Sequence, residues 1–177
     1  MNITVYCGSS VGNDPEYQVA AKALGLWIAN NNHTLIYGGG NIGLMGIIAD
    51  TVLENGGRVI GVIPGFLLHA EKGHEGLHSL EVVNSMSTRK NRMIELGDVF
   101  VAMPGGIVTL EEITEILTLK RLRRTEKRAF FFNINGYYEP LRRAFQQMVD
   151  KEFLPQDEFD FFEFVDGTEA LQNALSE

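Results

Sequence analysis

Val99-Phe100-Val101-Ala102-Met103-Pro104-Gly105-Gly106-Ile107-Val108-Thr109-Leu110-Glu111-Glu112 carries an apolar run into a glycine turn and then into a helix-forming pattern. Val99 to Met103 has the composition of a strand buried on both faces. Pro104-Gly105-Gly106 stops it, and the periodicity predicts a helix from Leu110 to Leu122. The same order recurs in both directions along the chain. Upstream, Ile3 to Cys7 is a strand running into Gly8-Ser9-Ser10, and Pro15 to Asn30 a helix with proline in its first turn. Thr34 to Tyr37 stops at Gly38-Gly39-Gly40, and a helix follows from Leu44 to Glu54. Arg58 to Ile63 is a further buried strand. Past Pro64 the pattern loosens into a loop or short helix until about Leu80, then gives a brief strand at Val82-Val83 and a helix from Ser87 to Leu96. Downstream come a strand from Ala129 to Asn133, a helix from Tyr138 to Val149, an acidic-aromatic tail from Asp157 to Phe164 and a short helix after Gly167. Alternating strands and helices predict an α/β fold: a doubly wound, mostly parallel, Rossmann-like sheet with helices on both faces. The length suits one domain spanning 1–177.

Composition narrows the partners. A net charge of −8 argues against nucleic acid or an anionic membrane surface as a general partner. No apolar run approaches the roughly 18 residues that span a bilayer. Cys7 is the only cysteine, so no intrachain disulfide forms, and a reducing, cytoplasmic setting is expected. The N-terminus enters a strand pattern at once, which does not resemble a signal peptide.

In an open parallel sheet, ligands bind beyond the carboxyl ends of the strands. Three strands here end in small residues at that edge: Gly8-Ser9-Ser10, Gly38-Gly39-Gly40 and Pro104-Gly105-Gly106. Bare backbone amides there, backed by helix N-termini, suit a phosphate. No Gly-Lys-Ser/Thr follows, so the loops are not a Walker motif. Gly38, Gly40 and Gly43 imitate a dinucleotide fingerprint, but the next strand ends Gly61-Val62-Ile63-Pro64, with no acid to hold a ribose. Thr109 at a helix start can contact phosphate, with Glu112 one turn on; the same pair is also a plain capping box. Arg89 and Lys90, both at the start of a helix, oppose its dipole and call for an anion or carboxylate partner, unless they are simply solvated.

Taken in order, Cys7-Gly8-Ser9-Ser10, Tyr37-Gly38-Gly39-Gly40 with Gly43-Leu44-Met45-Gly46, Gly61-Val62-Ile63-Pro64, Met86 with Arg89-Lys90, Pro104 to Glu112, and Asn135-Gly136-Tyr137-Tyr138 resemble the LONELY GUY family of cytokinin-activating phosphoribohydrolases, often mislabelled lysine decarboxylases. The match covers about residues 3–150, and the paired R-K and PGGxGTxxE motifs are specific together. The resemblance implies hydrolysis of the N-glycosidic bond of an adenosine-type 5′-monophosphate, by a homodimer without metal or cofactor. It puts the motif arginine on Arg89 and the motif glutamate on Glu112. Implied substrate contacts are Glu71, Lys90, the segment Gly106-Ile107-Val108-Thr109-Leu110-Glu111-Glu112, and Thr118. Gly105, Gly106, Thr109 and the loop Gly38-Gly39-Gly40 would hold the phosphate, with Ser10 close by.

Two departures stand out. The family has glycine where this chain has Val108, and histidine where it has Ser87. A valine is ill suited to positive φ, and its methyls would crowd a phosphate. A non-catalytic nucleotide or cofactor carrier on the same fold is the alternative function. Cys7 lacks an evident base and is read as core. His69, His74 and His78 share no helical face and are read as loop residues rather than metal ligands. The basic run from Lys120 to Arg128 is read as a solvated helix end or a dimer contact.

Overall fold

Ile3, Val5 and Cys7 join one apolar cluster while Tyr6 joins another, so the first strand is buried on both sides. That alternation with both faces apolar is what a central parallel strand requires. The computed structural model describes residues 1–176. Its strands are β1 (Asn2–Tyr6), β2 (Thr34–Tyr37), β3 (Arg58–Pro64), β4 (Ser79–Val83), β5 (Val99–Ala102), β6 (Ala129–Phe132) and β7 (Glu163–Val165). The helices are α1 (Pro15–Asn30), α2 (Gly43–Glu54), α3 (Met86–Leu96), α4 (Ile107–Arg121), α5 (Glu139–Asp150), α6 (Gln156–Phe159) and α7 (Thr168–Ser176).

The described strands form one sheet in the order β4-β3-β2-β1-β5-β6-β7, every neighbouring pair parallel. The chain winds outward from β1 to β4, then returns to lay β5 against the other side of β1. The winding reverses between β1 and β5, and ligands of open α/β sheets bind at such a reversal. Residues of α1, α2 and α7 pack in the cluster on one face, and residues of α3, α4 and α5 in the cluster on the other. Tyr6 pairs with Ala102, so β1 and β5 end level. Their ladder continues through Met103 N–H to Tyr6 O at 2.9 Å and Gly8 N–H to Pro104 O at 3.1 Å.

Three expectations change. The helix after the glycine turn begins at Ile107, one turn before Leu110, because Gly106 serves as its N-cap. The strand expected only at Val82-Val83 starts at Ser79. The acidic-aromatic tail contributes β7, which pairs with β6 through Phe131 and Phe164.

Candidate functional site

The crevice over the β1–β5 reversal has two lobes that meet at Gly8, Ser9 and Gly106. The inner lobe, about 180 Å³, is lined by Tyr6, Cys7, Gly38, Glu71, Arg89, Thr109 and Glu112, among others. The outer lobe, about 270 Å³, is lined by Ser10, Tyr17, Gly105 and Tyr137, among others. The α2 start closes tightly on this edge. Leu44 N–H donates to Gly8 O at 3.1 Å. Gly43 has φ +60°, and a Cβ there would lie 2.3 Å from the Ser9 carbonyl carbon, so only glycine fits.

Arg89 enters the inner lobe from the first turns of α3, whose N-cap Ser85 accepts the Thr88 N–H at 3.1 Å. The guanidinium is buried. Its Nε donates to Val62 O at 3.1 Å, and its Nη2 donates to Gly38 O at 2.9 Å and Glu71 Oε2 at 3.3 Å. A Cβ on Gly38 would come within 2.1 Å of Nη2. Both helix-start cations have carboxylate partners: Lys90 pairs with Glu111 and with Glu115, the latter at 3.1 Å. Burial pushes the Glu71 carboxyl up, with Arg89 pulling against it. Glu112 faces the same lobe from the second turn of α4. Its burial, above all, pushes its carboxyl up to about 7; Arg89 opposes the shift, and the Glu111 and Glu71 charges reinforce it. Among the described residues none donates a hydrogen bond to the Glu112 carboxylate. It is therefore a carboxyl poised near neutrality beside a fixed cation.

The glycine turn meets α4 with its amides unspent. Gly106 is an N-cap without a side-chain bond, so the first-turn N–H groups of α4 are free for an anion. Thr109 lies inside the helix at 2% exposure, so the capping-box interpretation does not hold. Its hydroxyl makes no hydrogen bond with a described residue, and a Cβ on Gly105 would strike it at 2.2 Å. Ile107 and Val108 form the first turn. Val108 is helical rather than at positive φ, so the expected backbone strain is absent; it stands half exposed at the rim of the inner lobe.

Other predicted contacts fall outside the inner lobe. Lys90 and Glu111 are spent on each other beside it. Thr118 is exposed about 13 Å further along α4 than Thr109, and lines a separate groove with Phe145 and Phe161. Gly39 and Gly40 position another segment instead: Gly39 O accepts the His74 N–H at 2.9 Å, and Gly40 bridges to Gly73. With Asn41 N–H donating to Glu71 O at 2.9 Å, they fix the stretch that presents Glu71. Ser10 is exposed and lines only the outer lobe. Its hydroxyl accepts the Gly12 N–H at 3.2 Å. Ser87 is exposed on α3 and does not line the inner lobe. Burial pushes the Cys7 thiol far up, which suits the core role expected of it. His74 Nε2 bonds Asp50 Oδ1 at 2.9 Å and so ties the same segment to α2. Tyr6 and Met93 line the inner lobe without having been singled out in the sequence. Both sit at apolar-patterned positions, where nothing separates a lobe-lining side chain from a core one.

Sheet order, glycine turns and a cleft at the reversal define a Rossmann-like α/β protein. Residues 45–175 match the family model described as "Possible lysine decarboxylase". A cytokinin riboside 5′-monophosphate phosphoribohydrolase of Rhodococcoides fascians is 44% identical over 154 residues, covering 86% of this chain and 78% of that protein. One from Arabidopsis thaliana is 41% identical over 152 residues, covering 86% of this chain and 71% of that protein. The chain belongs to this family. Its fold is also that of the molybdenum cofactor carrier protein of Chlamydomonas reinhardtii, with TM-score 0.75 at 21% identity over 99% of this chain and 95% of that one.

Proposed function

We propose that the protein hydrolyses the N-glycosidic bond of cytokinin-type or adenosine 5′-monophosphates, releasing the free base and ribose 5-phosphate. The observation that carries this is the buried Glu112 carboxyl, pushed up to about 7, set in one lobe with Arg89 and next to the unspent amides of the Gly105–Thr109 turn. The 41–44% identical relatives named above support the same chemistry. The phosphate lies on the α4 start, and the ribose reaches inward to Arg89 and Glu112. As the C1′–N9 bond breaks, the base leaves with the bonding electrons and positive charge develops on the ribose. The Glu112 carboxylate stabilises that charge and takes one proton of the water whose oxygen bonds to C1′, while the departing base takes up a proton from solvent and is released neutral. Arg89, fixed through Gly38, Val62 and Glu71, orients the ribose hydroxyls.

The decarboxylase description has no support in the lysine best placed for it. The Glu111 hydrogen bond, foremost, makes Lys90 hold its proton more tightly, whereas a Schiff-base lysine must lose its proton readily.

Incubation with AMP and with N6-isopentenyl-AMP, following base release by chromatography, tests the proposal. Release that disappears in Glu112→Gln supports it. Tight monophosphate binding without release in the wild type would instead favour a carrier. A cytoplasmic homodimer belongs to the same proposal: Thr118 is too far along α4 to reach the lobe of its own chain, and a partner's α4 could bring its counterpart there. A monomeric mass in light scattering at micromolar concentration would remove that part.

A further inference from the structure

Tyr137 and Tyr138 follow β6 in a turn to which the proposed chemistry assigns no role. Asn135 and Gly136 take left-handed backbone, with φ 50° and 74°. Asn133 Oδ1 accepts the Tyr138 N–H at 2.6 Å, and Asn135 Nδ2 donates to Asp14 Oδ2 at 2.9 Å. From this fixed turn both phenols reach back to the end of β5. Tyr138 donates to Met103 O at 2.6 Å and Tyr137 to Gly105 O at 2.5 Å. The carbonyl between them, that of Pro104, accepts the Gly8 N–H at 3.1 Å. Each carbonyl of the turn before Gly106 is thus held by a donor.

The consequence follows from peptide geometry. In a trans peptide the C=O and N–H point in opposite directions, and no cis bond occurs among the described residues. Drawing the Gly105 oxygen to Tyr137 therefore turns the Gly106 N–H, on the other edge of the same plane, away from the tyrosine. No described residue accepts a hydrogen bond from that N–H. An anion at the α4 start then meets an amide, where a flipped peptide would offer it a carbonyl oxygen. The buried, unpartnered Thr109 hydroxyl lies at the same turn and independently points to a ligand there.

The two tyrosines are not equivalent. Tyr138 is buried, with its ring 5.1 Å from that of Phe131. Tyr137 is 39% exposed, touched edge-on by Tyr17 at 5.7 Å, and adds little to the core.

We infer that Tyr137 is a positioning residue, whose hydroxyl pins the Gly105–Gly106 peptide with its N–H toward the substrate's phosphate. This rests on the phosphate position proposed above. The test compares wild type with Tyr137→Phe, using ribose 5-phosphate and adenosine as separate ligands in isothermal titration calorimetry, together with steady-state kinetics on the monophosphate. Loss of one neutral hydrogen bond predicts ribose 5-phosphate binding about five- to tenfold weaker. KM should rise by a similar factor with kcat nearly constant, adenosine affinity unchanged and the urea midpoint preserved. Tyr138→Phe should instead lower the urea midpoint. Unchanged ribose 5-phosphate affinity in Tyr137→Phe, or an equal loss for adenosine, overturns the inference. If wild type releases no base while the phosphate-specific loss is still seen, the hydrolase proposal falls and the inference stands. Failure of wild type to bind ribose 5-phosphate overturns both.

Discussion

The Arg89 guanidinium and the Glu71 carboxylate meet at 3.3 Å, tying the start of α3 to the segment that presents Glu71 to the cleft. The pair costs about as much as it returns. Burial raises the Glu71 carboxyl despite Arg89, so desolvation outweighs the attraction. Glu71→Gln removes a charge that burial disfavours and leaves Arg89 on the Val62 and Gly38 carbonyls, so it is expected to leave the urea unfolding free energy within about 1 kcal/mol of wild type. In the same variant kcat/KM falls at least about tenfold, because Arg89 loses its charged hydrogen-bond partner and with it a fixed direction. Base-release kinetics and urea melts on one preparation check this. A large loss of stability with full activity would make Glu71 a strut rather than a site residue.

Glu112 predicts a pH dependence of defined sign. Its folded value of about 7 stands above the ordinary 4.5, so the folded protein binds this proton more tightly than the unfolded chain. Stability is then greatest below 4.5 and declines as the pH rises towards 7, for this group alone. Glu112→Gln removes that decline and should stabilise the protein at pH 8 relative to pH 4 by up to about 3 kcal/mol. In catalysis the carboxylate is the active form, so wild-type kcat/KM should rise with pH and level off above about 7. Activity that falls across the same range would assign Glu112 the role of acid instead.

How much of this was legible depended on what kind of signal each residue gave. The glycine turns after β1, β2 and β5 announced themselves, because apolar runs that stop at glycine leave few other folds. Arg89 and Glu112 come from the resemblance to the family's motifs; the conflict of two cations at a helix start leaves a carboxylate partner and simple solvation both open, and the structure supplies the carboxylates. The α4 start lies one turn earlier than the periodicity predicts: Ile107 and Val108 are β-branched, and Gly106 caps the helix without a side chain. β7 gives no signal of its own, because three residues among aromatics pair only once β6 stands beside them. The work of Gly39 and Gly40 in holding the Glu71 segment was equally invisible, since it depends on a bridge to Gly73.

Gly38 tests whether the position of Arg89 limits the reaction. A Cβ at Gly38 would fall 2.1 Å from Nη2 and 3.1 Å from the Met45 sulfur, so the guanidinium must move. Displacement of about 1 Å at a reacting site costs on the order of a hundredfold in rate. Gly38→Ala should lose base release by that order, with its circular dichroism spectrum close to wild type. Retained activity would mean that Arg89 acts through charge alone.

Val108 marks the departure from the family pattern that most directly touches the phosphate position. Because its backbone is helical, substitution relieves no strain, and any gain must come from space at the rim of the inner lobe. Val108→Ala keeps the helix and removes the outer methyls, so KM for the monophosphate should fall about threefold or more if those methyls crowd it. Val108→Gly should lower KM at least as far, but cost up to about 1 kcal/mol in urea unfolding, since glycine weakens the first turn of α4. Comparing the two separates size from flexibility. A fall in KM with both variants assigns the effect to the methyls, and a fall with glycine alone assigns it to a looser turn. No change with either means the valine stands clear of the phosphate, and the departure from the motif carries no cost.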